Sequence, residues 1–232
     1  MSCYYACGLL LSASIAATLF CDTGAGAEKP RVLILGDSVS IGYTPRVQEM
    51  LKDEAVVKRP MRGAEQAENC AGTSNGVARI DAWLADDGGK WDVIHFNFGL
   101  HDLKSIDPVT GAGSTNPDHP RQADPETYRR QLTTIVKKLK ATDARLIFAT
   151  TTPVPTGGVK PYRNPEDPAR YNAIAREIMQ ANGVAINDLY GFAEPRLGEI
   201  QIPVNVHFTP PGSRRLAEQV AAAIRAALND AE

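Results

Sequence analysis

Short runs of continuously apolar residues alternate along this chain with longer segments whose apolar positions recur every three to four residues. Arg31 to Leu35 (RVLIL) is the first run and stops at Gly36, the pattern of a strand buried on both faces. Asp92 to Phe98 (DVIHFNF), Arg145 to Thr150 (RLIFAT) and Val184 to Ile186 repeat it, and Val56-Val57 adds a weaker one. Between them, Pro45 to Lys52, Gly76 to Ala85 and Pro168 to Ala181 predict helices, and Pro211 to Leu228 predicts a closing one. Pro125 to Lys140 is the clearest helix: a proline suits its first turn, and Leu132, Ile135, Val136 and Leu139 then share one face. Five strands separated by helices predict parallel βαβ units. The expected fold is therefore α/β, a three-layer α/β/α sandwich around a five-stranded parallel sheet.

The 232 residues are 43% apolar, enough to bury a sizeable core. With 25 Lys and Arg against 27 Asp and Glu, the formal charge of −2 offers no electrostatic case for nucleic acid or an anionic membrane as partner. No repeat, low-complexity tract or linker interrupts residues 28–232, which read as one domain.

Residues 1–27 have a different character. Gly8 to Phe20 is an uncharged apolar stretch of 13, too short for a stable membrane-spanning helix. Ala25-Gly26-Ala27 follows as a small-residue cleavage pattern, so a signal peptide is expected, cut after Ala27, with the mature chain secreted or periplasmic. Its n-region lacks Lys and Arg. Three of the four cysteines, Cys3, Cys7 and Cys21, fall in this leader. Cys70 alone remains, so no internal disulfide supports the mature protein.

In an open parallel sheet, ligands bind beyond the carboxyl ends of the strands. Gly36-Asp37-Ser38 lies at one such place, where a serine either caps the next helix or exposes its hydroxyl in the crevice. Val206-His207-Phe208-Thr209-Pro210-Pro211-Gly212 lies at another, just before the last helix. A histidine there can act as general base for a hydroxyl, and together with Ser38 it makes a nucleophile and base pair.

GDSVSIGY, Gly99-Leu100-His101-Asp102 and VHFTPPG, in this order over residues 31–228, resemble the three sequence blocks of the SGNH hydrolases, also called the GDSL family. The resemblance implies a flavodoxin-like fold and ester hydrolysis through an acyl-enzyme, with no cofactor and no metal. Ser38 takes the nucleophile's position and His207 the base's. The oxyanion hole of the family uses the serine N–H, a glycine N–H and an asparagine side chain. The glycine falls within Asn69-Cys70-Ala71-Gly72-Thr73, at Gly72 by its close-approach chemistry, with Cys70 and Ala71 as neighbours able to occupy the equivalent point. Asp37 is expected to fix the nucleophile turn and Asp102 to tether the third block.

The chain departs from the family pattern twice. His101 stands where the family has asparagine; a neutral imidazole can donate one hydrogen bond to an oxyanion, with a sensitivity to pH that an amide lacks, or it only packs and orients Asp102. Val204 stands three residues before His207, where the triad acid belongs. Three arrangements follow: a backbone carbonyl near Ile202 or Pro203 holds the imidazole, a carboxylate such as Glu199 or Asp188 substitutes, or the site is inactive. Asn205 is neutral and offers no charge.

Lys104 to Asp124 is a long polar connection after the third block, and Thr151 to Asn164, with Tyr162 and Arg163, forms a second rim. Hydroxyl, amide and charged groups dominate both, with no apolar acyl trench. The favoured substrate is thus a short acyl ester on a carbohydrate, against two alternatives: small non-sugar esters, or glycan binding without turnover. His95, His101, His119 and His207 lack the spacing of zinc ligands, and His95 reads as a core histidine.

Overall fold

The computed structural model of the chain describes residues 1–4 and 28–229. Residues 5–27, which hold the body of the expected signal peptide and its cleavage motif, lie outside the described residues.

The elements run β1 (Arg31–Leu35), α1 (Ser38–Leu51), β2 (Val56–Lys58), a small hairpin of β3 (Met61–Arg62) and β4 (Gln66–Ala67), α2 (Thr73–Ala85), β5 (Val93–Phe96), α3 (Pro125–Leu139), β6 (Arg145–Ala149), α4 (Asp167–Asn182), β7 (Ala185–Asn187), the short helices α5 (Leu189–Ala193) and α6 (Leu197–Ile200), and α7 (Pro210–Asn229). The main sheet is parallel throughout, in the order β2-β1-β5-β6-β7. The chain crosses from β1 outward to β2, then returns past β1 to build the rest of the sheet. The direction of winding therefore reverses between β1 and β5, and a crevice opens beyond their carboxyl ends.

Both faces of the sheet are covered, which is why its central strands are mostly apolar. Val32, Ile34, Val93 and Ile147 pack into the layer of α1 and α7, against Tyr43, Val47, Leu216 and Val220. Leu33, Leu35, Ile94, Phe96 and Phe148 alternate to the opposite face, against Ile80, Leu132, Ile135 and Tyr171 of α2, α3 and α4. Each such side chain contributes roughly 1.5–3 kcal/mol of transfer free energy.

Helix α1 begins seven residues earlier than its proline suggests. Asp37 caps it, its side chain accepting from Val39 N at 2.9 Å, and Pro45 lies inside it. The proline forfeits one i→i−4 bond, yet Ser40, Tyr43, Thr44, Val47 and Leu51 form one buried face across that position. The cap and the buried face together outweigh the missing bond. Ser38 is thereby the first helical residue rather than part of a loop.

His95 is buried in the core as its strand context predicts. Asn187 Nδ2 donates to its Nε2 at 3.2 Å, and the edge of the Tyr43 ring meets it with centroids 6.3 Å apart. Burial pushes its pKa down to about 4. In the unfolded chain an ordinary histidine takes up its proton near pH 6.5. The unfolded state therefore binds the extra proton first as pH falls, and His95 costs stability from about pH 6.5 down to its folded value. Chemical denaturation of the wild type is expected to show this loss. His95→Gln should remove up to about 1.4 kcal/mol per pH unit from the slope in that window; an unchanged slope would show that His95 does not titrate there.

Candidate active site

Ser38 sits where β1 ends and α1 begins, on a turn held from three sides. A Cβ on Gly36 would lie 2.9 Å from Ser40 Cβ and Oγ, so the turn closes only around a glycine. The Gly36 carbonyl accepts from Cys70 N at 3.1 Å and from Arg59 Nη2 at 3.3 Å. Arg59, buried behind the turn, also donates to Ser40 Oγ, Thr44 Oγ1 and the Glu68 carbonyl. Burial lowers its pKa. Nothing in the sequence reading singled it out. Asp37 accepts from Val39 N through its side chain and from the Ser40 hydroxyl through its carbonyl, and so shapes the same turn.

His207 arrives from a turn clamped by backbone bonds, Ile202 N to the His207 carbonyl at 3.0 Å and Thr209 N to the Ile200 carbonyl at 2.9 Å. Its Nε2 lies 2.8 Å from Ser38 Oγ. Its Nδ1 lies 2.7 Å from Asn205 Oδ1, and the same oxygen accepts the His207 backbone N–H at 3.0 Å. That second bond orients the amide: flipping it would point NH₂ at the backbone N–H, a donor against a donor. With Oδ1 facing Nδ1, the Nδ1 nitrogen carries the proton and Nε2 is left free to accept from the serine. A neutral side chain thus selects the tautomer that a carboxylate ordinarily selects.

Neither orienting group anticipated from sequence is used. The Ile202 carbonyl accepts from Asn205 N at 3.1 Å. Glu199 pairs with Arg215 at 3.4 Å. Asp188 caps α5, accepting from Gly191 N and Thr150 Oγ1, and pairs with Arg176. Val204 adopts a left-handed φ of 54°, is about half exposed, and turns toward Gly157, whose added Cβ would lie 3.2 Å from Val204 Cγ2. Asn205 carries no charge, so composition alone does not mark it as the orienting group. Its position did carry a signal, since Asn side chains commonly bond the backbone two residues on, here His207 itself.

An open cleft of about 540 Å³ surrounds the pair and takes in Ser38, Asn69, Leu100, His101, Val159, Lys160, Arg163, Asn205 and His207. Gly72 is absent from its lining. It caps α2, and a Cβ there would lie 2.7 Å from Asp102 Oδ1 and Gln122 Nε2, so close packing beneath the cleft accounts for the glycine. Asn69 reaches the cleft instead, and the Ala71 N–H, at a left-handed φ of 55°, donates to Asn69 Oδ1 at 2.9 Å. Cys70 is fully buried, and burial pushes its thiol up to about 12, which leaves no thiolate for chemistry.

His101 lines the cleft, and its pKa is held down at about 4, chiefly by burial and further by the charges of Lys104, Arg163 and His207, against the opposing pull of Asp37. It is therefore neutral throughout pH 5–8, and the pH sensitivity expected of an imidazole there does not arise. Nor does it orient Asp102. Both Asp102 oxygens turn to the start of α2, accepting from Thr73 N at 2.9 and 3.1 Å and from Thr73 Oγ1 at 2.7 Å. Burial raises that carboxyl to about 6 despite these bonds.

The long connection 104–124 also differs from expectation. Ser105 N donates to the Tyr162 carbonyl and Tyr162 N to the Ser114 carbonyl, each at 2.8 Å, while Arg121 pairs with Asp167 at 2.7 Å. It braces the 158–163 segment from behind and contributes no residue to the cleft wall. Among the described residues, no three His, Cys, Asp or Glu side chains stand together as a metal site, and no helix is long and apolar enough to cross a membrane.

A doubly wound parallel sheet that presents a hydrogen-bonded serine and histidine at its switch point has the arrangement of a serine hydrolase on an α/β sandwich. The chain belongs to the GDSL-like Lipase/Acylhydrolase family, which it matches over residues 34–215, and is thus an ester hydrolase by family. No curated protein matches it in sequence. Among solved structures it is similar to a lipase/acylhydrolase from Enterococcus faecalis (TM-score 0.66, 18% identity, 85% of this chain and 96% of that one). It is also similar to an acetyl xylan esterase from Geobacillus stearothermophilus (0.63, 15%, 84% and 94%) and to the psychrotrophic esterase EstA from Pseudoalteromonas sp. (0.62, 15%, 87% and 100%). At these identities the likeness is one of fold.

Asn205→Ala is expected to lower turnover of a simple aryl ester by about 10- to 100-fold, less than the roughly 10⁴ lost with the charged acid of a complete triad. Asn205→Asp places a carboxylate against Nδ1 and should raise turnover. Val204→Asp, whose side chain faces Gly157 while Asn205 holds Nδ1, should not. Steady-state rates of the three variants separate these geometries.

Proposed function

We propose that the protein hydrolyses short-chain esters, acetyl esters of carbohydrates foremost, through an acyl-enzyme on Ser38. The observation that carries this is the 2.8 Å contact between Ser38 Oγ and His207 Nε2, with Nδ1 held at 2.7 Å by Asn205. The serine oxygen attacks the ester carbonyl as its proton passes to Nε2. The imidazolium then returns that proton to the leaving alkoxide. Water repeats the cycle on the acyl-serine: its proton goes to Nε2, the acid is released, and Ser38 Oγ recovers the proton. The oxyanion forms beside the Ser38 N–H, which as the first helical residue has no intrahelical acceptor, and beside the neutral His101.

Support for an acetyl group on a sugar comes from the hydrogen-bonding side chains of Asn69, His101, Lys160 and Arg163, set among apolar Leu100, Val159, Pro161 and Val206 on the cleft wall, and from the acetyl xylan esterase among the similar folds. We further propose that the chain is exported, on the apolar leader of residues 8–20 and the Ala25-Gly26-Ala27 pattern.

Hydrolysis of 4-nitrophenyl acetate is the direct test. Ser38→Ala and His207→Ala should each abolish it, and Ser38→Ala should abolish labelling by an organophosphonate; labelling that persists would remove Ser38 from the reaction. Acetylated xylo-oligosaccharides should be better substrates than 4-nitrophenyl esters of long acyl chains, and the reverse order would sink the carbohydrate reading.

His101→Ala should cost about 10²- to 10³-fold in turnover, the range seen when one oxyanion donor is removed. Because the imidazole is neutral from about pH 5 upward, the loss should be constant across pH 5–8. A loss that varies across this range would show that His101 acts through its charge.

A further inference from the structure

Arg163 is an unpaired guanidinium set into the cleft wall. Its residue is 6% exposed. Nε donates to the Leu100 carbonyl at 2.7 Å and Nη1 to the Pro161 carbonyl at 3.3 Å, which pins the group without neutralising it. Nη2 has no protein partner among the described residues, and it is not among the buried atoms sealed off without one, as Arg59 Nε is. Nη2 is thus the free end of the fork, on a residue that lines the cleft with Ser38 and His207.

The surrounding charges make this more than a structural arginine. The other charged side chain on the cleft wall is Lys160, exposed at its rim, and no carboxylate lines the cleft. Lys104 stands close enough to be disfavoured by Arg163, and burial lowers the pKa of both cations. The nearby carboxylates are hydrogen-bonded elsewhere, Asp37 to the cap of α1, from where its charge favours the guanidinium without touching it, and Asp102 to Thr73. Removing a guanidinium from water without a hydrogen-bonded counter-ion is costly; Arg59 has both Nη groups taken up by protein oxygens, whereas Arg163 keeps Nη2 free to meet an anion.

We propose that the cleft selects esters of acidic sugars, with Arg163 Nη2, assisted by Lys160, holding a carboxylate of the substrate while its ester lies at Ser38. This rests on the ester-hydrolase reading of the Ser38–His207 pair. An arginine suits the role because its charge does not titrate and its planar N–H groups match a carboxylate. His101, kept neutral beside these cations, remains available to the oxyanion and does not compete for the carboxylate.

Two measurements on the full-length chain test the proposal independently. In the first, glucuronate and glucose are titrated calorimetrically; glucuronate should bind at least about tenfold tighter, within reach of one charge-assisted contact, and more weakly as salt is raised. In the second, kcat/KM is compared for the O-acetylated methyl glycosides of glucuronic acid and of glucose, with an expected preference of about 10- to 100-fold for the acid. The preference should fall in Arg163→Lys, which keeps the charge and loses the fork, and in Lys160→Gln, an exposed position where the fold is safe. Equal binding of the two sugars, or equal kcat/KM, overturns the proposal even if 4-nitrophenyl acetate is hydrolysed. Selective binding of glucuronate without turnover of any ester would support the anion site and overturn the hydrolase reading beneath it.

Discussion

A parallel sheet buried on both faces constrains everything else in this protein. Because each strand must be followed by a helix that returns across a face of the sheet, every connection at one end of the sheet converges on the same crevice. Ser38 follows β1, His101 follows β5, and the segment from Val159 to Arg163 follows β6. The reversal of winding between β1 and β5 separates the first two connections and leaves room for a substrate between them. The alternation of Val32 and Ile34 with Leu33 and Leu35 is thus the physical origin of the site as well as of the core.

Within the crevice the central device is an oriented amide. Asn205 accepts two hydrogen bonds from a single residue, His207, one from its backbone and one from its ring. The backbone bond fixes which way the amide points, and the ring bond then fixes the tautomer. What the amide cannot do is offset the charge of an imidazolium, so the pair is positioned as in a full triad but less stabilised electrostatically. The left-handed Val204 follows from the same turn: Asn205 takes the position that meets the ring, and Val204 lies against Gly157 at the edge of the cleft.

The electrostatics of the cleft are equally local. His101 and Arg163 share a poorly solvated wall where burial disfavours both charges, with opposite consequences. The histidine sheds its proton and becomes a neutral donor. The arginine keeps its charge and holds the wall through two carbonyls. A neutral imidazole and a cation on the same wall are the two features on which the proposed hydrolysis of an acidic ester rests.

By itself, the sequence determined the fold class, the strands, and the pairing of Ser38 with His207 across 169 residues, because buried strands have continuous apolar runs and the three motif blocks fall at strand ends. It also placed His95 in the core. Tertiary structure alone decided the rest. Pro45 reads as a helix start, yet a buried face carries α1 straight through it. The Lys104 to Asp124 connection reads as a binding rim, yet long-range backbone bonds linking Ser105 and Ser114 to Tyr162 turn it into a brace. Gly72 reads as an oxyanion donor, yet contact with Asp102 explains it, and Asn205 gains its role only from the direction in which a turn points its amide. Periodicity records which residues are buried. The direction of a hydrogen bond and the desolvation of a charge depend on neighbours brought together by folding.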